Sequence, residues 1–289
     1  MPLRIAHIIN LAFNGVPQEL ARAEPLVLQS MRRAAEHCRP DIIVDQLSAQ
    51  FPDDRPHVPS FMSPTRDLDR SVLDTGSFRT LRRLPLLRDI LDRLDEAAEA
   101  PWCIYTNADI ILRSHFYRDV AATIADGYDA FVINREDVDD VSVQRTLNDV
   151  LTLRGMLHPG FDCFVFSREL LKRIVVGNVC IGAPHVDLPF ICSLIAYARR
   201  FRIFRDARLT VQLGNRERWK DARVSDYARR NDREAARALQ ELEQSRGLTG
   251  KMGWIYSLLL RRPLLWNKLC VREWQKRTAQ YSGFVAENS

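Results

Sequence analysis

The chain opens with two short runs rich in β-branched residues, separated by a helical pattern, and this succession restricts the folds open to it. RIAHIIN (4–10) and DIIVDQL (41–47) have the composition and length of strands. Between them, apolar residues recur at spacings near three and four, as on one face of a helix: Leu20, Leu26, Val27, Met31 and Ala34. Because a helical crossover joins parallel strands, we predict a parallel sheet covered by helices.

The rest of the chain continues to alternate strand and helix patterns. Strand-like runs are WCIYTNADIIL (102–112), YDAFVINRED (128–137), part of HPGFDCFVFSREL (158–170) and the alternating segment 201–219. Helical patterns cover 82–100, 114–126, 141–155, 185–200 and roughly 221–245. Residues 50–78 contain four prolines and little periodicity, which predicts a long irregular loop of the kind that binds ligands. We therefore predict an α/β sandwich with a mostly parallel mixed central sheet.

Composition indicates a folded protein of ordinary solubility. The hydrophobic share is 46% and the charged share 27%, values that disordered chains do not show. Neither a signal-peptide pattern nor a run of about 18 apolar residues is present, so we expect a cytoplasmic protein. The six cysteines have no metal-ligand spacing. Four of them lie in apolar runs and are expected to be buried free thiols: Cys103, Cys163, Cys180 and Cys192.

The C-terminal segment differs from the rest in charge and composition. Residues 251–289 contain seven basic and two acidic residues, an excess of 7 − 2 = +5 that equals the net charge of the whole chain. Three of the five tryptophans (Trp254, Trp266 and Trp274) alternate there with arginine and lysine. We predict a domain over 1–220 and a basic helical extension over 221–289. The extension either packs on the domain or lies on an anionic inner membrane surface, and its apolar faces argue against a nucleic-acid partner.

Several predicted strands end in polar side chains, at the sheet edge where α/β proteins bind ligands. Asn10 ends the first strand, Asn107 and Asp109 interrupt WCIYTNADIIL, and Gln212 lies in the last strand-like segment. The charged sequence Asn134-Arg135-Glu136-Asp137 ends YDAFVINRED. Carboxylate and amide oxygens are ligands for hard divalent cations, so a cation or a charged ligand is expected at this edge.

Two arginines and two missing motifs bear on phosphate binding. Arg82 and Arg83 stand at the start of the predicted helix 82–100, where basic residues oppose the helix dipole and suit a bound anion. No GxxxxGK[ST] loop occurs, and no GxGxxG follows the first strand. These absences argue against kinases, ATPases and dinucleotide-dependent dehydrogenases.

The segment YTNADIIL resembles the strand-end Asp-x-Asp motif of GT-A-type glycosyltransferases of the bacterial polysaccharide-biosynthesis kind. The order of the N-terminal β-α-β unit, the RRLP helix, YTNADI, FVINRED, HPGFDCFVFSREL and LTVQLGNRERW extends the resemblance over about residues 4–220. The resemblance implies a GT-A-like fold, a nucleotide-sugar donor and a glycan or lipid-linked acceptor. It also implies Mn²⁺ or Mg²⁺, which would offset the charge that develops on a diphosphate leaving group.

The same resemblance implies roles for particular residues. Asp162, in Gly160-Phe161-Asp162, would face the acceptor and act as catalytic base if the reaction inverts the anomeric configuration. The implied metal ligands are Asp109 and Gln212, and the acceptor contacts are His158, His185 and Asp187. The implied donor-binding residues are Asn10, Arg82, Arg83, Asn107, Asp109, Arg135 and Arg216.

Two departures from the family pattern leave alternatives open. Asn107 replaces the first carboxylate of the motif, and Gln212 stands where a metal-binding histidine is usual. Since amide oxygens bind cations more weakly than carboxylates, the metal is either weakly bound, supplemented by arginines or absent; the candidate arginines are Arg82, Arg83, Arg216 and Arg218. A non-catalytic sugar-nucleotide-binding or scaffold protein of the same fold is the alternative function. A sugar-phosphate nucleotidylyltransferase is disfavoured because its Gly-rich N-terminal loop is missing.

Overall fold

The computed structural model describes residues 2–13, 18–138, 146–158, 160–214 and 225–246. The strands in these ranges are β1 (Leu3–Asn10), β2 (Ile42–Ala49), β3 (Ser63–Pro64), β4 (Trp102–Thr106), β5 (Ile110–Leu112), β6 (Ala130–Ile133), β7 (Glu136–Val138), β8 (Met156–Leu157), β9 (Cys163–Ser167), β10 (Phe201–Phe204) and β11 (Thr210–Leu213). The helices are α1 (Gln18–His37), α2 (Leu87–Ala97), α3 (Phe116–Ala125), α4 (Leu147–Thr152), α5 (Arg168–Leu171), α6 (Asp187–Tyr197) and α7 (Ser225–Arg246).

The chain divides into two compact units. The first comprises Met1–Asp69, Asp92–Arg168 and Ile203–Arg216, and the second comprises Arg70–Leu91, Glu169–Arg202 and Glu217–Ser289. The predicted boundary between 220 and 221 falls in 215–224, outside the described residues, as does the basic segment 251–289. The domain boundary and the membrane-facing role of that segment therefore stay predictions. Within the described residues, no helix is both long enough and apolar enough to cross a membrane.

A seven-stranded sheet with the order β10-β6-β9-β4-β1-β2-β3 carries the fold. β1 lies parallel to β2 over its whole length, from Leu3 opposite Ile42 to Asn10 opposite Ala49, and it also lies parallel to β4. β9 runs antiparallel between β4 and β6. The predicted β-α-β opening and the predicted mostly parallel mixed sheet are confirmed.

Helix α1 covers this sheet through the apolar face that the sequence predicts. Val27, Met31 and Ala34 are fully buried in the main core of the first unit, beside Ile5 and Ile9 of β1. A valine or methionine side chain contributes about 1.5–3 kcal/mol when it is fully removed from water. The burial of this face therefore holds the helix against the sheet, since most of the stability of helices in proteins comes from the packing of an apolar face.

A second, four-stranded sheet with the order β5-β11-β7-β8 is a feature that the sequence interpretation does not predict. The family resemblance implies that the strand in WCIYTNADIIL ends at Thr106, and this is confirmed by β4, whereas the apolar residues after the polar step form a separate strand, β5, which begins at Ile110 in the second sheet. YDAFVINRED is likewise divided into β6 and β7. In both cases the polar residues between the apolar runs are the turn that carries the chain from one sheet to the other. A strand pattern alone does not show this, because both halves have apolar residues.

Helix α2 begins later than the sequence predicts. The predicted helix 82–100 starts at Leu87, so Arg82 and Arg83 lie in the loop before it, and their expected position at a helix N-terminus is wrong. Pro85 lies between them and the helix. Since the residue before a proline disfavours helical backbone angles, Leu84 is a poor helix residue, and a helix starting at Arg82 is unfavourable.

The four cysteines expected to be buried free thiols are confirmed as such. Burial raises the pKa of Cys103 and of Cys180 to about 12, which leaves neither thiol ionised near neutral pH. These thiols therefore behave as small apolar side chains.

His7 of β1 is a fully buried polar residue in the core of the first unit. Its Nδ1 lies 2.8 Å from the Tyr117 hydroxyl and its Nε2 lies 2.9 Å from Thr106 Oγ1. Burial lowers the pKa of His7 from 6.5 to about 3. The imidazole is therefore neutral in the folded protein and bridges β1, β4 and α3.

This buried imidazole makes the stability of the protein depend on pH. Between pH 6.5 and about 3, the unfolded chain binds a proton at His7 that the folded chain does not, so the free energy of unfolding falls as pH falls. The expected contribution is about 1.4 kcal/mol per pH unit. Urea denaturation from pH 7.5 to 4.5 should show this slope, and His7→Gln should flatten it. Removing the exposed His37 by His37→Gln should leave the slope unchanged, and an equally steep slope in His7→Gln would refute the assignment.

Candidate functional site

The site lies at the carboxyl edge of the seven-stranded sheet, where the parallel strands β1 and β4 end at Asn10 and Thr106. Asn10 is almost fully buried, and its Nδ2 donates to the carbonyl oxygen of Ala49 at the end of β2. This hydrogen bond links the carboxyl ends of the neighbouring strands β1 and β2. The role of Asn10 in donor binding stays a prediction.

Asn107 begins the turn that leaves β4, and both ends of its amide have partners. Its Nδ2 donates to Asp162 Oδ1 at 2.8 Å, and its Oδ1 accepts from the Tyr105 hydroxyl at 2.8 Å. The Asn107 backbone N–H also donates to the carbonyl oxygen of Asp162. Burial raises the pKa of Tyr105, with the nearby Asp109 as a lesser cause, so its hydroxyl keeps the proton that it donates. Asparagine suits this position because it must donate to one group and accept from another.

Arg135 lies between two carboxylates. Its Nε donates to Asp137 Oδ1 at 2.8 Å and its Nη1 donates to Asp162 Oδ2. All three side chains are largely buried, with exposed fractions of 12% for Arg135, 5% for Asp137 and 14% for Asp162. Together with Asn107, this arrangement occupies both oxygens of the Asp162 carboxylate.

Asp109 and Gln212 meet across the second sheet. Gln212 of β11 lies opposite Ile110 of β5 on one side and opposite Asp137 of β7 on the other. Its Nε2 donates to Asp109 Oδ2. Within the described ranges, Asp109 has no ion-pair partner. Hydrogen bonds join Asn107, Asp162, Arg135 and Asp137, and the Asp109–Gln212 pair is next to them because Gln212 lies opposite Asp137 in the adjacent strand. We call these six residues the polar cluster.

His158 lies beside the polar cluster. Its backbone N–H donates to the carbonyl oxygen of Arg135, and its own carbonyl oxygen accepts from Asn134 Nδ2. Its Nδ1 accepts from the Gly160 N–H, and its Nε2 is 4.0 Å from Asp137 Oδ2. The ring therefore orders the loop that leads to Asp162, and acceptor binding by His158 stays a prediction.

A buried charged group that the sequence interpretation missed supports the polar cluster. Glu136 is fully buried, and its carboxylate binds Arg113 Nη2 at 2.7 Å and Arg208 Nη1. Arg113 also donates to the carbonyl oxygens of Arg208, Leu151 and Leu153. The sequence contains one signal for this group, which is the arginine directly after the buried strand IIL. An arginine at that position must reach either solvent or a buried partner.

The remaining predicted residues lie elsewhere in the chain. Arg82, Arg83, His185 and Asp187 belong to the second unit, and Arg216 and Arg218 are outside the described residues. His185 Nδ1 is bonded to Asp232 of α7, with only 9% of the side chain exposed, and Asp187 is in the first turn of α6. The binding roles of these residues stay predictions.

The described residues contain no group of three or more histidine, cysteine, aspartate or glutamate side chains placed to hold a metal ion. In the polar cluster, Asp137 and Asp162 are already paired with Arg135. Asp109 and Gln212 are left as oxygen donors. Two protein donors fit a divalent cation only if a bound ligand and water supply most of its coordination, as happens with cations on phosphates.

The chain is similar to several solved structures at low identity. S. aureus TarS 1-349 in complex with UDP-GlcNAc matches at 14% identity and a TM-score of 0.48, over 97% of this chain and 82% of that chain. The mannosyltransferase PcManGT from Pyrobaculum calidifontis, in complex with GDP-Man and Mn²⁺, matches at 13% and 0.44, over 98% and 82%. 4-Diphosphocytidyl-2C-methyl-D-erythritolsynthase from Anaerococcus prevotii matches at 10% and 0.37, over 78% and 94%.

No protein-family model and no curated protein matches the chain. The sequence resemblance predicts a likeness to glycosyltransferase structures, and the mannosyltransferase PcManGT is one such structure. Values of this size assign neither a family nor an activity.

We predict that Glu136 is the main stabilising charge beneath the site. Glu136→Gln leaves Arg113 and Arg208 without their buried anion, so the free energy of unfolding should fall by about 3–5 kcal/mol in urea denaturation. Glu36→Gln removes the exposed ion pair with Arg32, whose side chains are about 60% exposed, and should cost under about 1 kcal/mol. Equal losses in the two variants would contradict a special role for Glu136.

We also predict that a carboxylate at position 107 is unfavourable. Asn107→Asp replaces the donor to Asp162 with a second negative charge, so stability at pH 7 should fall by about 1–3 kcal/mol. The loss should shrink in acid, where one of the two facing carboxylates is protonated. Asn148 is exposed on α4 and accepts a hydrogen bond from Arg33, so Asn148→Asp should not show this loss. If the Asn107→Asp variant is as stable as the wild type at pH 7, the bond from Asn107 to Asp162 contributes little.

Proposed function

We propose that the protein is a glycosyltransferase that moves a sugar from a nucleotide-sugar donor to a polysaccharide or lipid-linked glycan acceptor. The observation that carries the proposal is the polar cluster itself. Its six residues come from four segments of the chain that are brought together beyond the carboxyl end of β4. Ligand sites of α/β sheets are built at this end of the strands, since loops there carry polar groups on a rigid base.

The donor's diphosphate needs positive charge, because negative charge develops on it as the sugar departs. Mn²⁺ or Mg²⁺ held by Asp109 and Gln212 would supply that charge when bound. Rotation of the Gln212 amide would present Oε1 beside the Asp109 carboxylate and so provide two oxygen donors. Arg135 is the cation that the chain itself supplies in the polar cluster, and a guanidinium can bind two phosphate oxygens at once.

Asp162 is the proposed base for an inverting reaction, and its contacts set a condition on that role. One of its oxygens accepts from Asn107 and the other from Arg135, so an acceptor hydroxyl must approach a lone pair that these two contacts leave on the carboxylate. A diphosphate that attracts Arg135 would free the second oxygen. Donor binding would then activate the base, and acceptor attack would follow donor binding.

The alternative is a non-catalytic protein that binds sugar nucleotides or serves as a scaffold. The observation that favours it is the pairing of Asp162 with Arg135 and Asn107, which neutralises and occupies the only proposed base. In that case the polar cluster would be a binding surface on which Asp162 stays paired with Arg135 and Asn107 when a ligand binds. Nucleotide release distinguishes the two functions, because only an enzyme hydrolyses or transfers the donor sugar.

We predict donor-dependent stabilisation and slow nucleotide release. Thermal shift with UDP-, GDP-, CMP- and dTDP-sugars, with and without Mn²⁺, should identify a donor that raises the melting temperature. With that donor, Asp109→Asn should reduce nucleotide release at least about 100-fold. The reason is that, among the described residues, Asp109 is the one carboxylate of the polar cluster that is not paired with an arginine.

Asp41→Asn provides the matched control for this prediction. Asp41 is exposed directly before the amino end of β2, at the opposite edge of the sheet, so its neutralisation should leave nucleotide release unchanged. Donor binding without release in the wild type would support the scaffold function. If no nucleotide sugar changes the melting temperature, the transferase and the sugar-nucleotide-binding function both fail, and only the scaffold function is left.

A further inference from the structure

The second unit contains a basic cleft of about 460 Å³ that no part of the proposed function uses. The segment after Thr75 forms one wall, with Phe78 and Arg79, and the first turns of α7 form the other. Four arginines and one aspartate line it, a balance of 4 − 1 = +3: Arg79, Arg229, Arg230, Arg233 and Asp226. A concave surface with this excess attracts anions and holds them better than a flat one, because its walls limit screening by water.

The one carboxylate that lines the cleft can neutralise only one of its four arginines. Asp226 accepts from the backbone N–H of Arg79 at 3.1 Å and from the Arg229 guanidinium. Arg230 has a weak contact of 3.5 Å with Glu234, which also binds Arg237 at 2.7 Å. Among the residues that the structure describes, the guanidinium groups of Arg79 and Arg233 have no acceptor. Two full positive charges and part of a third are thus available to a ligand.

Arg230 gives a second, independent indication of a ligand. Its side chain is only 16% exposed, and its Nε is buried without a hydrogen-bond partner among the described residues. A buried donor that lacks an acceptor is unfavourable, and a ligand oxygen bound to this guanidinium would offset that cost. Gly76 leaves this guanidinium uncovered, because a Cβ at position 76 would stand 3.4 Å from Arg230 Nη1. Its backbone is extended (φ 166°, ψ −177°), so the conformation itself does not require glycine.

The cleft walls are fixed by contacts that do not involve the arginine side chains. Tyr227 stacks on Phe78 with ring centroids 4.4 Å apart, and its hydroxyl donates to the carbonyl oxygen of Thr80 and accepts from the Arg82 N–H. On the same helix, the buried Asn231 amide accepts from the Cys180 N–H and donates to the carbonyl oxygens of Cys180 and Pro184. The arginines are therefore held close together on a prearranged surface, which lowers the entropy cost of binding.

We propose that this cleft binds a phosphate group, carried by a soluble ligand or by a lipid headgroup. Phosphate is the class of anion that fits best, because it presents several charged oxygens to guanidinium forks at once. The site is built from residues of the second unit alone and does not depend on the polar cluster. It would exist whether or not the protein transfers sugars.

Isothermal titration calorimetry with inorganic phosphate and with pyrophosphate tests the proposal, and flotation with phosphatidylcholine vesicles containing phosphatidic acid tests the lipid source. Arg233→Gln should weaken binding of at least one probe about tenfold. Gly76→Asp should do the same from the opposite wall, since it places a carboxylate beside Arg230. Arg237→Gln is the matched control, because Arg237 lies on the same helix with 72% of its side chain exposed and does not line the cleft.

The two probe classes assign the source. Arg233-dependent binding of inorganic phosphate or pyrophosphate supports a soluble ligand, and Arg233-dependent binding of the vesicles alone supports a lipid headgroup. If Arg233→Gln and Gly76→Asp fold like the wild type by circular dichroism and bind every probe with wild-type affinity, the proposal is wrong. Asp109→Asn should leave this binding unchanged, so failure here is distinguishable from failure of the proposed transfer reaction.

Discussion

The Arg113 guanidinium and the buried Glu136 carboxylate form the interaction on which the site depends. Arg113 follows β5 directly and binds Glu136 in β7, while its other donors reach the carbonyl oxygens of Arg208, Leu151 and Leu153. One side chain thus joins four segments, each continuous with a residue of the site: Asp109 before β5, Arg135 and Asp137 around Glu136, Gln212 after Arg208, and His158 after Leu153. A buried ion pair of this kind is costly to break, so the positions of those residues are fixed together.

Charge balance in the polar cluster follows from the same arrangement. Of its three carboxylates, Asp137 and Asp162 pair with the one guanidinium, Arg135, while the amides of Asn107 and Gln212 donate to Asp162 and Asp109. Amides tolerate this surplus of negative charge because they donate hydrogen bonds to it, whereas two further carboxylates would repel it. The amides of Asn107 and Gln212 therefore help to keep the cluster folded without a ligand. A bound cation or phosphate would alter this balance of charge.

The strands and helices were predictable from the sequence where burial imposes a period. The β-α-β opening and α1 follow from apolar spacing, α6 was predicted as a largely apolar helix and α7 as a charged one, and the buried cysteines follow from their apolar neighbours. Division of WCIYTNADIIL and YDAFVINRED between two sheets did not follow, because local apolarity does not say which strand is the partner. The start of α2 was missed because Arg82 and Arg83 fit a helical spacing, while Pro85 disfavours the helix at Leu84.

The sequence by itself determined the class of fold and the positions at which polar residues leave the strands. Asn107, Asp109 and Gln212 could be selected because short polar steps between buried runs are costly unless they serve a purpose, whereas Asp162 was selected through the family resemblance. Only the tertiary structure decided what each of them contacts: Asn107 donates to Asp162, Arg135 pairs with Asp162 and Asp137, and Gln212 meets Asp109. These contacts join residues far apart in the chain, and they depend on strand register and sheet order. No local pattern encodes that information, because register is set by the packing of the whole sheet.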